Sequence, residues 1–197
     1  MDRSGPHQPV GADAGPVPAP PADGELAVLA TVQDAVASPA TIRVARGMSL
    51  FGEHAAGWLA LGLAGAALDR PRRREWLGSA AAVALAHGAS IGVKRVVRRR
   101  RPEHPSVRVL VGTPSRLSFP SSHATSTTAA AVLYGGLLGR RARPVAALTV
   151  GAMALSRLVL GVHYPTDVAT GTALGAAVAA GARRRIRSRP DHRRVSA

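Results

Sequence analysis

Between Leu50 and Ala182 the chain alternates long stretches of small and apolar residues with short clusters of arginine, and that alternation leaves few folds open. Five stretches approach the ~20 residues that a bilayer-crossing helix needs: Leu50 to Leu68, Trp76 to Val93, Ala124 to Leu138, Val145 to Leu160 and Val168 to Ala182. The clusters Arg70 to Arg74, Arg140 to Arg143 and Arg183 to Arg194 flank them. Backbone in lipid must satisfy its own N–H and C=O groups, so apolar spans of this kind fold as helices. Ala and Gly fill most apolar positions, and Gly171-x-x-x-Gly175 has the spacing that lets two helix backbones touch. The expected fold is therefore all-α, an integral membrane bundle of about five transmembrane helices. A soluble Ala-rich bundle is the alternative, and arginines concentrated at the segment ends speak against it.

The flanks differ in character. Residues 1–24, rich in Pro, Ala, Gly and Asp, read as a disordered tail with no apolar run long enough for a signal peptide. Residues 25–48 carry apolar residues at helical spacing (Leu26, Leu29, Val32, Val36), interrupted by Pro39. They read as amphipathic helices lying at the membrane surface beside the membrane domain, residues 49–182. Residues 183–197 form a basic C-terminal tail. The net charge of +15 calls for an anionic partner, and its blockwise placement favours the bilayer and a lipid phosphate over nucleic acid. There is no cysteine, which excludes disulfides and thiolate metal sites.

Reactive residue types fall into three sets: Lys94-x6-Arg101-Pro102 after the second span, Pro120-Ser121-Ser122-His123 before the third, and Ser156-Arg157-x5-His163-x3-Asp167 between the fourth and fifth. Counting crossings brings all three to one membrane face. Lys94 is the only lysine beside 25 arginines. Together these residues suit phosphoryl transfer, which needs fixed positive charge and hydrogen-bond donors around the moving phosphate. Arg101 and Arg157 offer forked donors, Lys94 a point charge, and Ser121 with the start of the third helix neutral donors. One imidazole can attack phosphorus while the other protonates the leaving oxygen, and Asp167, four residues after His163, can fix its tautomer.

The three sets, in this order and spacing, resemble the signature motifs of the type-2 phosphatidic acid phosphatase superfamily, which includes membrane lipid phosphatases and the soluble vanadium haloperoxidases. The resemblance implies that His163 is a nucleophile forming a phosphohistidine, that Asp167 orients it, and that His123 is the general acid. It further implies that Lys94, Arg101, Ser121, Ser122 and Arg157 hold phosphate, and that hydrolysis needs no metal or other cofactor. The family has Gly where this chain has Ser122, a change expected to be tolerated unless the position demands φ > 0. The run GTPSRLSFPSSHATSTTAAA is also similar to phosphatases acting on decaprenylphosphoryl-phosphoribose, in cell-wall arabinan precursor synthesis. The implied function is hydrolysis of a lipid phosphomonoester or diphosphate on a polyprenyl carrier. Polyprenyl diphosphate, phosphatidate and phosphatidylglycerophosphate are the alternative substrates, and a haloperoxidase or a non-enzymatic basic binder the remote ones.

Several residues remain outside this frame. Arg95, Arg98, Arg99 and Arg100 read as a headgroup-facing surface, and His87 as an interior residue without an evident partner. Glu53 and His54 open the first span on the catalytic face; interfacial solvation is the simpler account, headgroup contact the functional one. His163 and Asp167 as metal ligands would lack the rest of a site. Fourteen arginines on the face opposite the motifs, against eight Lys/Arg between Lys94 and Arg116, orient the active site away from the cytoplasm.

Overall fold

The computed structural model describes residues 24–187, and every regular element in them is helical. The order is α1 (Gly24–Val36), α2 (Pro39–Gly52), a 3-10 turn (Glu53–Ala55), α3 (Ala56–Leu68), α4 (Arg73–Val97), α5 (Ser122–Leu138), α6 (Arg143–Val159) and α7 (Pro165–Arg187). Most of the expected disordered tail, residues 1–23, and the end of the basic tail, residues 188–197, lie outside the described residues. Two boundaries move: α2 runs through residue 48, and Arg183 to Arg187 continue α7 rather than leaving the bundle.

The break before Pro39 has a local cause. Ser38 caps α2, its Oγ accepting from the Thr41 N–H at 3.2 Å, and Pro39 occupies the first turn, where its missing N–H costs nothing. The first expected span is shorter than its composition suggests. His54 and Ala55 adopt left-handed φ of 51° and 58°, and the helix restarts only at Ala56. Its 13 residues rise about 20 Å, less than a hydrocarbon core, whereas the 23 of α7 rise about 35 Å. Two segments, Arg70–Val97 and Arg140–Val159, are long and apolar enough to cross a membrane by length and composition.

α5 is the centre of the bundle, with α3, α4, α6 and α7 packed against it. Its wall is small and polar (Thr125, Ser126, Thr127, Thr128, Ala129, Ala130), all buried. Trp58, Trp76, Val83, Leu133 and Tyr134 fill the core between α3, α4 and α5. There the Trp58 Nε1–H donates to Thr127 Oγ1 at 3.1 Å and the Tyr134 hydroxyl to the Trp58 carbonyl at 3.0 Å. Leu61, Leu63, Leu85, Val145 and Leu148 point outward from α3, α4 and α6, the arrangement a lipid-facing surface requires.

The Gly171/Gly175 pair does what its spacing predicts. A Cβ on Gly171 would stand 2.5 Å from the Ser121 carbonyl oxygen, and one on Gly175 2.3 Å from that of Thr125, so α7 lies directly on α5. Gly175→Ala should therefore cost about 1–3 kcal/mol, read as a fall in the melting temperature of the purified protein in detergent. Gly181→Ala, whose Cβ meets nothing within 4 Å, is the control expected to melt like the wild type.

Candidate active site

The ends of α2, α4 and α6 and the starts of α3, α5 and α7 gather at one end of the bundle around a cavity of about 430 Å³. Lys94, Arg101, Ser122, His123, Arg157 and His163 line it, so residues from all three sets share one wall. Ser121 and Asp167 do not line it; both are fully buried behind it. Ser121 caps α5, its Oγ receiving the Ala124 N–H at 3.4 Å, and its own N–H donates to the Asp167 carbonyl at 2.9 Å. The side chain expected as a phosphate donor caps α5, while the backbone N–H of the same residue ties the α5 and α7 termini together.

Lys94 is the last buried residue of α4, which ends when Arg98 turns left-handed. Its ammonium donates to the carbonyls of Pro120 at 2.7 Å, Ser118 at 2.8 Å and Leu117 at 3.3 Å, bending residues 117–120 over the site. The Arg101 guanidinium donates to the carbonyls of Ser115 at 2.8 Å and Val162 at 2.6 Å. Arg157, 2% exposed on α6, donates through Nε to Ser156 Oγ and through Nη1 to Ser49 Oγ. These contacts fix the planes of two forked donors, and each retains N–H groups without an acceptor among the described residues. Ser122 has no left-handed φ, which answers the question its substitution for Gly raised, and its Oγ accepts from the Ser90 hydroxyl at 2.8 Å.

The protonation pattern of the two histidines follows from their partners. Arg101 Nη1 lies 3.2 Å from His163 Nε2, and a guanidinium can only donate, so Nε2 carries the lone pair. The ring proton is then on Nδ1, facing Asp167 Oδ2 at 3.5 Å, a separation that a charged ring would close. The lone pair thus lies on the cavity side and the proton on the buried side, the tautomer a nucleophile at Nε2 requires. His123 is turned the other way: its Nε2 meets the Ser49 carbonyl at 2.9 Å and must donate, which leaves Nδ1 as the basic nitrogen.

Burial pushes the His163 pKa down to about 3; Asp167 opposes this, and Arg101 and Lys94 add to it. Burial also lowers Arg101 to about 10, still a cation at neutral pH. Because His163 is depressed relative to an unfolded histidine, the stability linked to its neutral form is complete above about pH 6.5 and is lost as pH falls toward 3. Between pH 7.5 and 5 the wild type should lose about 2 kcal/mol more than His163→Gln, measured by denaturation at the two pH values.

Four residues with roles here carried no such signal in the sequence. Ser49 joins Arg157 and His123 from α2. His87, whose ring centroid lies 6.5 Å from that of His54, lines the cavity with a buried Nδ1 that has no partner. Arg99 departs from the expected headgroup surface, donating to Asp167 Oδ1 at 3.1 Å with its guanidinium 3.8 Å from the Tyr164 ring centre. Glu25 bonds that same Arg99 from α1. Arg95, about two helical turns after His87, also lines the cavity, and His54 and Glu53 stand at its rim, His54 exposed and Glu53 half-buried.

The PAP2 superfamily model matches residues 75–190. Decaprenylphosphoryl-5-phosphoribose phosphatase of Mycolicibacterium smegmatis is 60% identical over 149 residues, 75% of this chain and 81% of that protein. The Mycobacterium tuberculosis protein of the same name is 53% identical over 173 residues, 84% of this chain and 96% of that one. Among solved structures, the transmembrane PAP2-type phosphatidylglycerolphosphate phosphatase of Bacillus subtilis superposes with a TM-score of 0.68 at 20% identity, covering 85% of this chain and 88% of its own. Aquifex aeolicus LpxE superposes with a TM-score of 0.70 at 18% identity, covering 81% and 94%.

Proposed function

This chain belongs to the PAP2 superfamily, and on that premise we propose that it is a membrane lipid phosphatase that removes the terminal phosphate of decaprenylphosphoryl-5-phosphoribose. The observation that carries the reading is the His163 imidazole, its Nε2 lone pair fixed by Arg101 beside a cavity walled by Lys94, Arg101 and Arg157. The polyprenyl substrate is supported by the two mycobacterial relatives.

In the proposed reaction His163 Nε2 attacks phosphorus and the P–O bond to the sugar C5 oxygen breaks. His123 Nδ1, the basic nitrogen of the ring, first takes the proton of the substrate's phosphate monoanion and then passes it to the departing oxygen. Negative charge on the equatorial oxygens is met by Arg101, Arg157 and Lys94, with the Ser122 hydroxyl and the α5 N-terminus adding neutral donors. A water then attacks the phosphohistidine, giving its proton to His123 Nδ1, and inorganic phosphate leaves with His163 restored. Asp167 holds the Nδ1 proton of His163 in both steps. Glu53 and His54 contact the headgroup at the rim.

Phosphate release by detergent-solubilised protein tests the reading. The expected order places polyprenylphosphoryl-phosphoribose above polyprenyl diphosphate, phosphatidate and phosphatidylglycerophosphate. A preference for phosphatidylglycerophosphate would sink the polyprenyl assignment while keeping the chemistry.

The proposed orientation puts this end of the bundle outside the cytoplasm, because the arginines of the opposite end are the more numerous. A reporter active only in the cytoplasm, fused after Ala197, should then be active. A silent reporter on an expressed, catalytically competent fusion would invert the topology.

A further inference from the structure

We propose that Arg46 and Arg95 form a second anion subsite, which receives the phosphodiester of the substrate while the buried clamp holds its terminal phosphate. This rests on the polyprenylphosphoryl-phosphoribose reading, since that molecule carries both groups on one ribose. Five cations line the cavity against one carboxylate, Glu53, an excess beyond the needs of a single phosphomonoester. Lys94, Arg101 and Arg157 are committed to the inner wall by bonds to fixed acceptors. Arg46 and Arg95 instead stand exposed, on α2 and α4. Arg46 is anchored through Nε to the Leu110 carbonyl at 2.9 Å, so its terminal N–H groups remain available in a fixed fork. His87 and Ile91 share the cavity face of α4 with Arg95.

The Arg46→Ala/Arg95→Ala double variant, assayed on decaprenylphosphoryl-phosphoribose and on ribose 5-phosphate, tests this. Its kcat/KM on the lipid substrate should fall about 10- to 100-fold, and by a clearly smaller factor on the soluble ester. Equal losses on both, or none, overturn the subsite. Wild-type protein that fails on the lipid but cleaves other lipid phosphates would overturn the substrate reading and the subsite with it.

A second inference stands on different contacts and on no particular substrate: Glu25 and Arg99 are positioning residues for the nucleophile. Glu25 enters from α1, far in sequence from the three motifs. Its Oε1 accepts from the Thr166 N–H at 2.9 Å and hydroxyl at 2.6 Å, and its Oε2 from Arg99 Nη2 at 2.5 Å. Arg99 Nη1 donates in turn to Thr166 Oγ1 at 2.8 Å and to Asp167 Oδ1 at 3.1 Å. Asp167 Oδ2 takes the Tyr164 N–H at 2.8 Å and faces His163 Nδ1. Each carboxylate oxygen of Asp167 thus has a separate task, with Arg99 securing one so that the other stays aimed at the imidazole. Burial alone would raise the Glu25 pKa; the hydrogen bonds from Thr166 and Arg99 outweigh it and hold the carboxyl below its usual range. The same helix grips the neighbouring loop: the Gln33 amide donates to the carbonyls of Arg108 at 2.7 Å and Val159 at 3.0 Å. Docking of α1 therefore completes the support of His163.

Arg99→Gln should lower kcat about 10- to 100-fold with KM changed less than about threefold, because Arg99 touches the nucleophile's support and not the substrate. Glu25→Gln should lower kcat by a smaller factor, and should add nothing in the Arg99→Gln background. Glu25→Asp should recover part of the Glu25→Gln loss. A full-rate Arg99→Gln enzyme overturns the inference, as do independent losses that multiply in the double variant or a fall in folded protein that accounts for the missing activity.

Discussion

Replacement of His163 by alanine is expected to abolish phosphate release, lowering kcat by about 10⁴-fold or more, while the protein purifies as a folded bundle. The size follows from the geometry: no other described side chain presents a nitrogen lone pair oriented by both a fixed cation and a carboxylate. His123, a second imidazole of the cavity wall beside His54 and His87, has its Nε2 turned to the Ser49 carbonyl. Rapid quenching of the wild type with phosphorus-labelled substrate should trap an acid-labile, base-stable phosphoenzyme, and His163→Ala should give none. His123→Ala should still form it from an aryl phosphate, whose leaving group needs no proton, and fail mainly with the sugar ester. Turnover at the wild-type rate by His163→Ala would end the phosphohistidine mechanism.

The second large effect concerns Arg101. Both Arg101→Ala and Arg101→Lys are expected to lower kcat/KM by about 10²- to 10³-fold, with the lysine variant recovering little. A single ammonium cannot reach the Ser115 carbonyl, the Val162 carbonyl and His163 Nε2 together, as the fork does at 2.8, 2.6 and 3.2 Å. The loss therefore combines a missing phosphate ligand with a nucleophile free to rotate. Exogenous guanidinium should restore part of the activity of Arg101→Ala and none of that of Arg101→Lys. Wild-type activity in Arg101→Lys would reduce Arg101 to a point charge.

Much of this site was legible because its chemistry is written in side-chain types at fixed spacing, and because crossing parity forces the three sets to one end. Lys94, Arg101, His123, Arg157 and His163 needed no structure to be gathered. Ser121 is less legible, because a hydroxyl at a helix start serves as cap or ligand with the same sequence signature, and in the structure it caps α5. Arg99 was hidden among identical neighbours; only the left-handed turn at Arg98, invisible in composition, decides which arginine of the run swings back toward Asp167. Glu25 and Ser49 act from helices whose hydrophobic periodicity describes burial but not which polar edge meets the site. The shortened α3 has the same origin: nothing in Glu53, His54 and Ala55 announces two consecutive left-handed residues.

The buried polar wall of α5 also bears on how the chain reaches its membrane. Thr125 and Ser126 turn their hydroxyls back onto the helix's own carbonyls, of Ser121 and Ser122, and Thr127 needs Trp58 as a donor. A helix of this composition gains too little from lipid to remain there unaccompanied. It is translated after α3 and α4 but before α6 and α7, so at that moment only part of its final surroundings exists. Integration of α5 is thus a cooperative event, provisional against α4 and made permanent when Gly171 and Gly175 bring α7 onto it. The catalytic end of the molecule, which hangs on the first turns of α5 and α7, comes into being last.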